Sequence, residues 1–357
     1  MRIHSIRLKN FRNHSDYNCS FDGDLTIILG KNGAGKTNLL ESIFMLATAK
    51  SPKSRYDSDV INMLREFATV NGEIQSDGEN VSLELQVIRN PDRNNNISSK
   101  KTRVNKTVKS ITYFTGIFNA VFFTPQDIEV ITGSPGARRK YLDLILIQND
   151  RGYKKAISDY TKALRQRNKL LEIIRIQGSN TDQMPFWDNI LTQTGTIIQN
   201  SRSELIDFLN FRLPKLISTL DSPKTEVYIK YKKNEITRER LDAHLQADLR
   251  AQTTLIGPHR DDFLIQFNES DLGQFGSRGQ QRAVLLALKL LEIDFSEQKK
   301  GHRPVLLLDD IFSELDDTHR KAVLDVINKQ QTIITSAEEL QELEPKLAEK
   351  KPQIIRL

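Results

Sequence analysis

The octapeptide GKNGAGKT, Gly30 to Thr37, limits what this chain can fold into more than any other stretch. It sits between an apolar run ending in glycine, LTIILG, and a run with helical spacing, TNLLESIFMLATA. Strand, G-x4-G-K-T loop and helix in that order make a phosphate-binding loop. Backbone N–H groups across Gly30, Lys31, Asn32, Gly33, Ala34 and Gly35 are placed to wrap phosphate oxygens, with Asn38 just inside the helix that follows. Lys36 neutralises the β and γ oxygens, and Thr37 offers its hydroxyl to Mg2+. A nucleoside triphosphate with Mg2+ is the expected cofactor pair. Such a unit belongs to a buried sheet whose parallel strands need crossover helices, which makes the fold class α/β.

A second element completes the nucleotide chemistry. The stretch PVLLLDD, Pro304 to Asp310, is an apolar strand ending in two acids. At the carboxyl end of a central strand, Asp309 can hold the metal and Asp310 can orient or deprotonate an attacking water. A third element, FGSRGQQRAVLLAL, runs a polar turn, Ser277, Arg278, Gly279 and Gln280, into an apolar helical stretch. Free N–H groups at a helix start suit an anion. One P-loop already serves one nucleotide, so this turn makes sense facing a different one.

Composition narrows the setting. The 357 residues are 27% charged and 38% hydrophobic, as in ordinary globular chains, and are enough for two domains or for one with a large insertion. The opening MRIHSIRLKNF lacks the apolar stretch of a signal peptide, and no run approaches a membrane span, so a cytoplasmic location is expected. Cys19 is the only cysteine, which excludes an intrachain disulfide and a multi-cysteine zinc cluster and leaves oxygen ligands for any metal. A net charge of +6 favours a polyanionic partner. The basic residues crowd into two stretches: Lys100, Lys101, Arg103, Lys106 and Lys109, and Lys162, Arg165, Arg167 and Lys169. Neither is interleaved with aromatics, so phosphate contact with DNA is expected rather than base stacking, with Arg165, Arg167, Lys169, Lys100, Lys101 and Arg103 as candidates.

Strand and helix signals alternate up to about residue 122, helical patterns fill 123–220 with a break around Gly178 to Pro185, and strands and helices return over 221–357. The expected organisation is a head in two parts, 1–122 carrying the P-loop and 221–357 carrying the signature turn and acidic strand. A mainly helical arm, 123–220, is inserted between them. The two α/β parts are expected to complete one sheet.

The motifs in this order resemble the ABC-type ATPases, whose signature turn closes over the nucleotide of a partner subunit. Within that superfamily, LKNFRNH, GKNGAGKTNLLESI, FTPQDIEVITGSPGARRKYLD, RQRNKLL, IGPHRDDF, SRGQQRAVLLALKL and LLLDDIFSELD together resemble the RecF family. These are bacterial recombination-repair ATPases related to the SMC proteins. The resemblance implies a P-loop ABC-type head split by a helical arm, ATP with Mg2+, and a head-to-tail homodimer enclosing two nucleotides. It also implies binding of DNA near single-strand gaps, loading of recombinase with RecO and RecR, and slow hydrolysis that resets the dimer. By the same resemblance Ser277, Gly279 and Gln280 act on the partner's nucleotide, Arg12 approaches phosphate or else is a surface arginine, Gln126 is a metal contact or else a turn residue after Thr124-Pro125, and Ser313 to Asp316 form a loop at the interface. Three features depart from the pattern. Gln126 stands where Glu is common, Arg278 lies inside the signature, and NPDRNNNISSKKTRVNK is an unremarkable match that gives the basic cluster there no role by resemblance. Separately, no histidine matches the superfamily's switch position, which Thr335 occupies. His259, in GPHRDD, has no metal-ligand neighbours and reads as structural, and Trp187 reads as core of the arm. A transporter subunit would carry the switch histidine. An SMC tether would need a far longer arm.

Overall fold

The computed structural model describes residues 1–54, 56–76, 78–90, 98–178, 182–220, 226–312, 315–337, 347 and 351–357. They divide into two compact units: Met1–Asp127 with Lys289–Leu357, and Ile128–Leu288. The helix Arg278–Lys300 runs across the second boundary. This division draws 221–288, signature turn included, together with the helical segment, whereas the sequence pattern places those residues with the head.

The first unit contains a five-stranded parallel sheet in the order Gln353–Arg356, Leu25–Leu29, Thr332–Ser336, Val305–Asp309 and Ala120–Phe123. Two strands come from before the inserted segment and three from after it, so the chain ends do complete one sheet. Leu25–Leu29, Val305–Asp309 and Thr332–Ser336 are buried at every residue, as parallel strands covered on both faces must be. A six-stranded antiparallel sheet lies in the same unit, in the order His14–Ser20, Arg2–Phe11, Phe67–Ser76, Glu79–Arg89, Ser98–Val104 and Thr107–Lys109. The helix Lys36–Thr48 contacts strands of both sheets and is buried nearly all round. Gly72 lets it approach, since a Cβ there would collide with Leu46.

The second unit is mainly helical. Ser134 caps Pro135–Asn149, Asp150 caps Arg151–Gln177 by accepting from the Tyr153 N–H (3.0 Å), and Gly178 in the left-handed region (φ 62°) ends it. Met184–Leu220 packs against Arg151–Gln177. A three-stranded antiparallel sheet, Ser270–Asp271, Asp262–Phe267 and Val227–Lys232, and the helix Arg238–Ala251 complete it.

Two buried arginines organise this unit. Arg202 donates to Asp143 (2.7 Å), Asp261 (3.0 Å) and the Pro258 carbonyl (2.7 Å). Burial opposes its charge, but Asp143 and its neighbours hold the guanidinium well above its usual pKa. Asp261, 1% exposed, also accepts from Tyr231 Oη (2.5 Å), Gln199 Nε2 (2.9 Å) and Asn234 N (2.7 Å). Asp262 pairs with Arg138 at 2.6 Å. The GPHRDD and SPGARRKYLD stretches are thereby tied together, with GPHRDD as a structural hub. His259 fits that role: the Thr254 carbonyl can only accept from Nε2 (2.8 Å), which leaves Nδ1 to accept from Tyr160 Oη (2.7 Å).

Candidate functional site

The P-loop strand and the acidic strand are separated in the sheet by a single strand, Thr332–Ser336. That register sets Asp309 opposite Thr335 and Thr335 opposite Ile28. Thr37, on the first turn of the P-loop helix, donates to Asp309 at 2.7 Å to Oδ1 and 2.9 Å to Oδ2. A hydroxyl and a carboxylate brought together at a sheet edge are the donor set of a hard divalent cation, so Thr37 and Asp309 fit Mg2+. The loop itself needs its glycines: Gly33 and Gly35 have φ of 85° and 101°. A Cβ on Gly35 would meet the Asn13 amide and His14 Nε2 at 2.7 Å.

Lys36 donates to the carbonyls of Gly30 (2.5 Å) and Lys31 (3.2 Å), so its ammonium lies across the mouth of the loop where phosphate charge would be neutralised. Asp310 is in the left-handed region (φ 54°), and its N–H donates to Thr335 O and Oγ1, each at 3.2 Å. Adjacent acids therefore have different settings. Asp309 is 4% exposed and held by hydroxyls, while Asp310 is turned out of the strand and half-buried.

Thr335, expected at a sensing position, is instead buried and donates to Asp309 Oδ1 at 2.8 Å. Its hydroxyl is engaged in orienting the acidic pair. Arg12 is likewise directed elsewhere. It donates to Glu41 at 3.0 and 2.7 Å, to the Asp59 carbonyl at 2.7 Å and to Ser54 Oγ at 2.5 Å, because Glu41 is wholly buried on the P-loop helix and needs a cation. Gln126 is an exposed turn residue in the short helix Pro125–Ile128, outside the hydrogen-bonded group around Asp309.

Three residues of the site carry no marker that the sequence motifs reveal. Lys53 reaches Asp309 Oδ2 at 3.3 Å and lies 5.8 Å from the Phe122 ring centre. Asn13 bridges the loop, donating to the Gly33 carbonyl (3.3 Å) and accepting from Asn38 (2.8 Å). His14 bonds the Gly35 carbonyl at 3.1 Å; burial lowers its pKa, partly offset by that bond. Asn13 and His14 fall inside the LKNFRNH block, which gives them no role of their own; for Lys53, in the loop after the P-loop helix, no spacing rule points to Asp309.

In the second unit, the signature turn forms a reciprocal cap. Ser277 N donates to Gln280 Oε1 (2.9 Å), and Gln280 N to Ser277 Oγ (3.2 Å). Ser277, Arg278 and Gly279 are exposed at the start of the helix Arg278–Lys300.

The chain matches the family model of the RecF/RecN/SMC N-terminal domain over residues 2–346. The DNA replication and repair protein RecF of Natranaerobius thermophilus is 34% identical, over 94% of this chain and 91% of its own. The RecF of Agathobacter rectalis is 35% identical, over 94% and 92%. The chain belongs to the RecF family. Among solved structures, that of the recombination mediator protein RecF-ATP in the RecFOR pathway superposes with a TM-score of 0.86 at 32% identity, covering 95% of this chain and 92% of that one. The head of an Smc protein bound to the C-terminal winged-helix domain of ScpA, 18% identical with a TM-score of 0.51, shares the fold.

The basic residues of this RecF-family chain divide sharply. Arg165 and Lys169 are exposed on Arg151–Gln177, but Arg167 between them is fully buried. It binds Asp188 (2.6 Å), Asp248 (2.6 Å) and Thr254 (2.9 Å), so it holds the helices together and is unavailable to DNA. Helical periodicity explains the difference from expectation, since two residues from an exposed position points to the opposite face. Lys100 is also withdrawn, its side chain 7% exposed, paired with Asp57 (2.5 Å) and bonded to the Ala49 carbonyl (2.6 Å). Arg103 is half-buried against Glu84, and Lys101 is exposed. Trp187, expected in the core, is half-buried and stacks edge-on with exposed Phe186. Ser313 and Glu314 of the expected interface loop lie outside the described residues.

Proposed function

We propose that this chain is an ATP-dependent DNA-binding protein of recombinational repair and replication-gap processing. It dimerises head to tail on ATP, binds DNA at gaps, and with RecO and RecR helps load recombinase onto single-stranded DNA. Slow, DNA-stimulated hydrolysis resets the dimer. The observation carrying this reading is the Thr37–Asp309 pair, made by residues far apart in sequence and held by Thr335 and Lys53. Such a preset oxygen pair beside a glycine loop suits a nucleotide–metal complex. It agrees with the RecF relatives named for DNA replication and repair, and with the solved RecF named with ATP.

In this mechanism Lys36 leaves its loop carbonyls to neutralise phosphate, and Thr37 and Asp309 would hold the metal, which would neutralise charge on the β- and γ-phosphate oxygens and on the leaving diphosphate. Asp310, off the strand axis, orients and accepts a proton from the attacking water. Ser277, Gly279 and Gln280 serve the partner's nucleotide through hydroxyl and N–H donors. The test mixes wild-type protein with excess chain carrying both Lys36→Arg and Ser277→Arg, under conditions where mixed dimers are shown to form. A mixed dimer has no intact site shared between chains but one intact set within a chain. ATPase activity per wild-type chain should fall toward zero; full retention would overturn action across the interface.

A further inference from the structure

The three-stranded sheet of the Ile128–Leu288 unit ends on the edge strand Val227–Lys232. Its solvent face alternates Tyr228, Lys230 and Lys232, with Lys233 following, while Val227 and Ile229 are buried opposite Phe267 and Ile265. An open edge would invite another strand. Here Asn210, from the helix Met184–Leu220, occupies the middle of that edge: its amide donates to Ile229 O (2.9 Å) and accepts from Ile229 N–H (2.6 Å). The strand thus offers side chains rather than backbone.

The same clamp brings a second set of groups alongside. Phe211 follows Asn210 directly and Lys215 lies about one turn further, whereas Arg212, two residues from Asn210, points to the opposite side of the helix with Phe208. Phe211 is 81% exposed and Tyr228 46%. The Arg212 guanidinium sits 3.9 Å from the Phe208 ring centre and 5.6 Å from that of Phe211. Lys215, Lys230 and Lys232 form no side-chain ion pair or hydrogen bond among the described residues. Asp262, opposite Lys232, is taken by Arg138. Of the acids nearest in sequence, Glu235 is paired with Lys233 (3.8 Å), and Asp207 and Glu226 are outnumbered by these cations.

We propose that this face binds single-stranded DNA, an inference that rests on the DNA-binding function above and assigns it a surface. Alternate strand residues are about 6.6 Å apart, close to the step between phosphates of an extended nucleic-acid strand, so Lys230 and Lys232 can meet successive phosphates. Tyr228 and Phe211 present open ring faces for unstacked bases, which a duplex conceals and a single strand offers.

The experiment uses the full chain, a fluorescein-labelled oligo-dT and a duplex of equal length, with anisotropy read over a salt series. The variant Lys230→Glu with Lys232→Glu should bind oligo-dT about 10-fold or more weakly, with a salt slope flatter by about 1.4, or about 0.7 for each phosphate no longer neutralised. The variant Tyr228→Ala with Phe211→Ala should weaken oligo-dT binding about 10-fold, keep its salt slope, and bind the duplex within about twofold of wild type. All four side chains are exposed, so unfolding midpoints should match wild type. Unchanged oligo-dT binding in both variants, with wild type binding normally, would overturn the surface, as would losses confined to Arg165→Glu with Lys169→Glu. Equal losses on duplex and single strand in the aromatic variant would overturn the stacking role. A wild-type chain that binds neither DNA would overturn the function itself.

Discussion

The charges around Asp309 and those around Arg202 are both networks of acids, cations and hydroxyls, yet they are built for opposite purposes. Around Arg202 the guanidinium itself is 2% exposed and bonds two carboxylates, of which Asp261 is buried, a carbonyl and a tyrosine oxygen. Around Asp309 the cation is Lys53, 26% exposed at 3.3 Å, and Lys36 rests on its own loop carbonyls. A network saturated from within has nothing left to offer a ligand. One whose cations lean on weak or replaceable partners can exchange them for phosphate at little cost.

The largest effect expected from that contrast is on stability. Arg202→Met leaves Asp261 buried without its cation and should destabilise the protein by about 3–5 kcal/mol in denaturant unfolding. A loss under about 1 kcal/mol would erase the distinction. Asp309→Asn should do the reverse: ATP hydrolysis should fall by about 10- to 100-fold, the equivalent of one charge-assisted interaction worth ~1.5–3 kcal/mol, while the unfolding midpoint stays near wild type. A strongly destabilised Asp309→Asn chain would place that network with the structural one.

A third group sharpens the comparison by lying between the two types. Lys289 is buried between Asp127 (3.5 Å) and Glu292 (3.4 Å) and donates to the Phe122 carbonyl (2.8 Å), giving one cation to two acids. Burial pushes the Glu292 carboxyl up to about 6, with Lys289 opposing. An acid with a raised folded pKa favours the native state by binding a proton. That contribution is full below pH 4.5 and is lost as pH rises through 6. Relative to Glu292→Gln, wild type should therefore gain stability as pH falls from 7 to 4.5, by at most about 2 kcal/mol. A constant difference in unfolding free energy across that window would show that Glu292 does not titrate there.

The sequence by itself determined the P-loop, the acidic strand, the signature turn and the single sheet assembled from both ends of the chain. These are local matters: glycine spacing, apolar runs and cap residues specify backbone that any surrounding fold must accommodate. The break between the two long helices of 151–220 was legible for the same reason, through Gly178 at the end of the first, whereas the cap at Asp150 was not. Local pattern could not say which members of a basic run face water. Arg167 and Lys100 went inward because Asp188, Asp248 and Asp57, distant in sequence, supply the countercharge that burial demands. Only the tertiary structure decided that Thr335 holds Asp309, that Lys53 reaches it from the loop after the P-loop helix, and that Asn210 closes a strand edge beside Tyr228 and Lys230. Such pairings depend on how strands, helices and loops pack, which brings residues from 19 to 256 positions apart within hydrogen-bond distance and leaves no periodicity in the sequence to mark them.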